Sequence, residues 1–185
     1  MHSLIDAIYW LTLATWFGSV LFKCIAPPVI FKSILQADPT LPRVLSVNLD
    51  RQHSTLLAGQ VVSDLVQMLF RIEVVCMIAF GPALAAKWFI TELSDGRIIL
   101  PALVTTLYML AFAFELYAWR VVWPKVMAHR AKYIEFADEP DVANPELDLF
   151  DRYSIEASSV TRNMLFVLMG MVLFSAALVP GIGSF

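Results

Sequence analysis

Apolar residues gather into four long runs along the chain, at 4–31, 70–90, 98–123 and 159–180. Each is long enough to cross a hydrocarbon layer, which takes about 20 mainly apolar residues as a helix. The pattern predicts an all-α integral membrane protein, a four-helix bundle forming one membrane domain over residues 1–185. Ahead of the second run, Gln60, Asp64, Gln67 and Arg71 recur at i, i+4, i+7 and i+11. That spacing predicts an amphipathic helix over 54–70 leading into the second span. Arg152, Glu156, Ser159 and Asn163 repeat the spacing into the fourth span. Two polar stripes at membrane depth predict a wet groove between spans two and four.

Prolines and glycines punctuate the runs. Pro27 and Pro28 lack the N–H groups that would bond the carbonyls of Lys23 and Cys24, so the first span is predicted to kink or stop there. Carbonyls freed in this way could also gather a cation. Gly81-Pro82 predicts a kink in the second span. Pro39 and Pro42 mark an interfacial loop, and 91–97 reads as a tight turn. The stretch 135–151 carries seven carboxylates and reads as an acidic, solvated cytoplasmic loop.

Composition agrees with the membrane reading. Of 185 residues, 59% are hydrophobic and 16% charged, and the mean hydropathy is +0.71, well to the apolar side of soluble domains. A net charge of −3 offers no basic face for nucleic acid. The first residues, MHSLID, hold no Lys or Arg, so the first run is predicted to be a permanent span and not a cleaved signal. With alternating spans, 11 Lys and Arg residues fall on the side of the 1–2 and 3–4 connections, and only Lys87 and Arg97 on the other. This bias predicts an inner (plasma) membrane protein with both termini outside.

The candidate chemistry lies in the charges at or within span ends. Lys23, Arg71, Arg120 and Arg162 face Asp64, Glu73, Glu115 and Glu156 in number, and with Asn163 all fall in one leaflet. Unpaired charge is expensive there, so pairing is expected, with Arg71 or Arg120 as the partner of Glu115. Such a set serves either as a neutral network that fixes helix register or as a groove for a polar or anionic ligand or a proton path. Cys24 and Cys76 with Met68 and Met77 have the softness of a Cu(I) site, although these residues equally suit packing. His2, His53 and His129 all fall outside the hydrocarbon, so a bis-histidine haem cannot be built from this chain alone. No cofactor is expected. The chain carries no Gly-rich phosphate loop, G-x-S-x-G elbow or paired-Cys zinc pattern.

The run Trp16-Phe17-Gly18-Ser19-Val20-Leu21-Phe22, followed by Ala26-Pro27-Pro28-Val29-Ile30-Phe31, resembles the signature of the transmembrane protein 205-like family, a four-span domain of unknown function. Ala58-Gly59 and Phe150-Asp151-Arg152-Tyr153-Ser154, leading to Asn163, are similar to its later landmarks. That family is distantly similar to copper-resistance D membrane domains and to haem-binding four-helix oxidases, which place a histidine ahead of W-x-G. This chain has Tyr9 and Trp10 in that region. The resemblance implies a four-helix architecture, with close packing at Gly18 and Ser19, and no reaction.

The expected function is a non-enzymatic binding or transport-related membrane component with a charge-compensated polar groove on the cytoplasmic side. Its partners would be the lipid bilayer and a homo-oligomer or larger membrane complex. The alternatives are a haem- or quinone-linked membrane oxidoreductase or its accessory subunit, and a structural subunit of a membrane complex.

Overall fold

Tyr9, Leu13, Trp16, Val20 and Lys23 follow one another at steps of three and four, and all five are buried. They form the inward stripe of the first helix. The computed structural model describes residues 2–37, 50–90, 98–135 and 146–177, and these are all-α. Helix α1 spans His2–Ala37, α2 Asp50–Ile90 and α3 Ile99–Tyr117; a π-helical turn, Ala118–Val122, joins α3 to α4, Trp123–Glu135; α5 spans Leu147–Ala177. The stretches Leu4–Ile34, Ala58–Phe89, Ile99–Ile134 and Asp148–Ala177 are each long and apolar enough to cross a membrane. By that measure the chain is an integral membrane protein.

The pairing of helices explains the bundle. Helix α1 packs most extensively on α2, α3 packs on α5, and α1 also meets α5. At one end Asp6 of α1 binds Lys87 of α2 at 2.8 Å, and the Tyr9 and Ser175 hydroxyls are hydrogen-bonded across α1 and α5. Nearby, Trp88 Nε1 donates to Thr105 Oγ1 at 2.9 Å, tying α2 to α3. Leu11, Val75, Ile78, Ile155 and Leu173 are exposed on the outside of the bundle, as apolar side chains facing lipid would be.

The interior divides into two apolar clusters. The larger gathers Tyr9, Leu13, Trp16, Val20, Phe80, Val104, Ala111, Met164, Leu168 and Met171 among others. The smaller gathers Phe70, Ala118, Val122, Val126 and Val160. Along α2, Glu73 falls between the last residue of the smaller cluster and the first of the larger, and Glu115 does the same between Ala111 and Ala118. A charged layer therefore occupies the seam between two cores.

The expectation that the first helix could stop at Pro27 and Pro28 needs correcting. Helix α1 continues through Pro27 and Pro28 without stopping. The irregularity lies elsewhere, in the turn Ala118–Val122, where the Trp123 N–H reaches the carbonyl of Ala118 five residues back. Pro124 follows immediately, and a wider turn ahead of it relieves the clash of its ring with the carbonyl four residues earlier. The wide turn has a second effect: Ala118, Val122, Val126 and Arg130 are all buried although spaced by four. A regular helix would rotate such a series steadily off one face. Gly18, expected at a close packing contact, is exposed with no atom within 4 Å of a β-carbon built on it, whereas Ser19 is buried. Pro39, Pro42, the turn at 91–97 and the acidic residues at 136–145 lie outside the described residues.

Candidate functional site

The seam is built by three helices. Lys23 continues the inward stripe of α1, Glu73 stands two turns before Phe80 on the inward face of α2, and Glu115 of α3 lies between Ala111 and Ala118, the first residue of the π turn. Packing that buries the apolar members of each stripe buries these residues too. The Lys23 ammonium donates to Glu73 Oε2, and Ser19 Oγ donates to Glu73 Oε1 at 2.8 Å. Both carboxylate oxygens of Glu73 thus have a donor. The ammonium also rests 3.9 Å from the centre of the Phe70 ring, a cation–π contact.

Glu115 is different. Its side chain is fully buried, and neither carboxyl oxygen has a hydrogen-bond partner. The indole N–H of Trp16 is buried and equally unpartnered. Glu115 faces Glu73, Lys23 and Trp16 closely enough to feel all three, without hydrogen-bond geometry to any of them. Arg71 and Arg120, the partners expected for it, are elsewhere.

Beside Lys23 a cavity of about 630 Å³ opens between α1, α2, the π turn with α4, and α5. Pro27, Pro28 and Phe31 of α1, Val62, Val66 and Phe70 of α2, and Trp123 and Val126 of α4 give it apolar walls. Its polar lining is Lys23, Arg162 and the hydroxyls of Ser63, Ser154, Ser158 and Thr161. Ser63, Ser158 and Thr161 donate to carbonyls one turn back on their own helices at 2.7–2.9 Å, which satisfies the hydroxyl proton and leaves oxygen lone pairs free. Arg162 lines the cavity, and no ion pair among the described residues involves it.

Of the nine residues singled out from the sequence, the fold brings Lys23, Glu73 and Glu115 together and sets Arg162 on the cavity wall. Asp64 is exposed and accepts from Gln60 at 3.0 Å. Arg71 is exposed beside Trp119 and Trp123, and Arg120 lies 4.8 Å from the Trp119 ring. Glu156 accepts a 2.6 Å bond from the Tyr117 hydroxyl, and Asn163 is exposed. The stripe Gln60, Asp64, Gln67 and Arg71 is exposed along its whole length, so the neighbouring face of α2, with Gly59, Ser63 and Val66, lines the cavity instead. Met68 is exposed while Cys76 and Met77 are buried, so the four soft ligands are not on one surface. Among the described residues, no group of three His, Cys, Asp or Glu side chains is placed to hold a metal ion.

No family model, curated protein or solved structure matches this chain. The site therefore has to be read from its own geometry. Three buried residues with polar side-chain atoms were not predicted as site residues, Trp16 and Ser19 having been noted only in the family-like run. Ser19 and Trp16 share the stripe that carries Lys23, and the i+3/i+4 spacing from Tyr9 would have exposed both. Arg130 of α4 is buried over Gly59 and donates to Gln60 at 3.2 Å; its only signal was position, four residues after Val126. At the end of α4, His129 stacks on Tyr153 with ring centres 5.0 Å apart and hydrogen-bonds Glu146 at 2.6 Å. Lys132 lies 3.7 Å from the same carboxylate. That carboxyl is held below its ordinary range, chiefly by the His129 bond.

Proposed function

We propose that this chain is a non-enzymatic, binding or transport-related membrane component whose ligand site is the cavity beside Lys23, and that it takes an apolar molecule with an anionic head. One observation carries the reading: a cavity of about 630 Å³, apolar over most of its wall, includes a guanidinium, Arg162, that no carboxylate among the described residues neutralises. Pockets of a few hundred Å³ with a few convergent polar groups are the usual form of small-molecule sites. The apolar wall suits a hydrocarbon chain, and Arg162 with the α5 hydroxyls suits a carboxylate or phosphate. By the distribution of Lys and Arg, the cavity end of the bundle faces the cytoplasm and both termini face outward. Labelling of an added terminal cysteine by an impermeant thiol reagent on intact cells checks the orientation, in a background where Cys24 and Cys76 are Ser.

Binding of a spin-labelled fatty acid to the protein in lipid nanodiscs tests the site. Arg162→Gln should weaken binding about tenfold, the worth of one charge-assisted hydrogen bond of about 1.5 kcal/mol. Arg152→Gln, on an exposed residue outside the cavity wall, should leave binding unchanged, and the corresponding spin-labelled alcohol should be indifferent to both. Equal weakening by the two substitutions, or no saturable binding, overturns the reading.

A further inference from the structure

The carboxyl pair in the seam holds more negative charge than the structure supplies partners for. Glu73 and Glu115 are both fully buried, and one ammonium, Lys23, serves them. The titratable groups facing the pair are Lys23 and Cys24 from α1 and Cys76 from α2. Arg162 of α5 acts on Cys24 at the cavity side. Among the described residues, no cation other than Lys23 acts on Glu115. An uncompensated carboxylate in a water-free interior is among the costliest arrangements a protein can hold. Both oxygens of Glu115 without a donor would make it costlier still.

We propose that Glu73 and Glu115 share one exchangeable proton, so that Lys23, Glu73 and Glu115 together form a buried, electrically neutral proton-binding site. The charge count then closes: one ammonium, one carboxylate, one carboxylic acid. Glu115 turns from an acceptor without donors into an O–H donor that Glu73 can accept from, the arrangement by which two neighbouring carboxyls avoid ionising together. Exchange with water uses groups already in place. Lys23 lines the cavity on one side and donates to Glu73 on the other. It can pass a proton to Glu73 and take a replacement from hydronium reaching the cavity, which leaves as water, so that one proton enters the site and no other bond changes.

The proposal stands apart from the ligand reading, because its test uses no ligand. Infrared spectra of the purified protein in lipid at neutral pH, in H2O and in D2O, read the carboxylic C=O stretch directly. The wild type should show the band of a protonated carboxyl, displaced to lower frequency in D2O. Glu115→Gln should abolish it. Glu73→Gln should abolish it as well, because Lys23 then requires the negative charge of Glu115. Absence of the band in the wild type overturns the proposal, whether or not either variant folds. A band that survives Glu115→Gln overturns it too. One lost in Glu115→Gln but kept in Glu73→Gln overturns the sharing, by showing that Glu115 holds its proton without regard to Glu73. Circular dichroism establishes that each variant retains its helices.

Discussion

Lys23 and Glu73 are hydrogen-bonded across α1 and α2, fifty residues apart in sequence, with side-chain exposures of 4% and 0%. Removing the ammonium strands the buried Glu73 carboxylate without a cation. Lys23→Met should therefore destabilise the bundle by about 3 kcal/mol, and Lys23→Met combined with Glu73→Gln should recover much of the loss. A double-mutant cycle, measured by reversible unfolding in mixed micelles, should give a coupling of about 2 kcal/mol. Additive costs would show that the pair contributes little beyond its packing.

Two glycines should respond in opposite directions to alanine. A β-carbon on Gly81 would lie 2.7 Å from the Tyr108 hydroxyl, which donates to the Met77 carbonyl at 3.1 Å and whose ring packs against Trp16, Phe80 and Phe112. The ring cannot retreat freely, so Gly81→Ala should cost about 1 kcal/mol after the gain in helix propensity is counted. In a Tyr108→Phe background the same change should be neutral or stabilising. Gly18→Ala, with open space around it, should stabilise by up to about 1 kcal/mol. The same unfolding assay decides both.

Tyr9→Phe isolates one hydroxyl. The ring contacts with Phe80, at 4.7 Å, and with the Lys87 ammonium, at 4.3 Å, survive the change. The lost partner is Ser175, which is buried. A cost of about 1–2 kcal/mol is expected, the penalty of leaving a buried hydroxyl unmatched. Ser175→Ala on top of Tyr9→Phe should add little further loss.

Acid should loosen the junction of α4 and α5. Folding lowers the pKa of the Glu146 carboxyl from its ordinary 4.5 through its bond to His129. The stabilising contribution is therefore fully present above the unfolded value and is lost as pH falls through the lowered folded one. The stability difference between wild type and Glu146→Gln should shrink steadily on acidification through the carboxylate range. A difference independent of pH would show that the bond to His129 does not depend on the charge of Glu146.

The four apolar runs were legible because length and hydropathy alone determine whether a helix can span a membrane. The Lys23, Glu73 and Glu115 layer was legible in part. Each residue interrupts an apolar run, yet only the packing angle of the bundle decides which interruptions face one another. Asp64 and Arg71 drew notice as a regular stripe and proved exposed, because a polar stripe marks a face for water or headgroups as readily as one for a groove. The passage of α1 through Pro27 and Pro28 ran against local propensity. The chain's own break, at Ala118–Val122, has no sequence mark except Pro124 just beyond it. Arg130 escaped notice because its burial depends on that wide turn.

The division of the interior into two clusters has a mechanical consequence. The half around Tyr9 and Phe80 is clamped at its rim by Asp6 with Lys87 and by Tyr9 with Ser175, and aromatic rings fill it. The half around Phe70 and Val126 encloses the cavity, so its helices pack against one another less closely. Such a body is stiff at one end and compliant at the other, with the charged layer as the boundary between them. Amide hydrogen exchange should retreat in that order, the cavity end opening at low free energy while the clamped end waits for global unfolding.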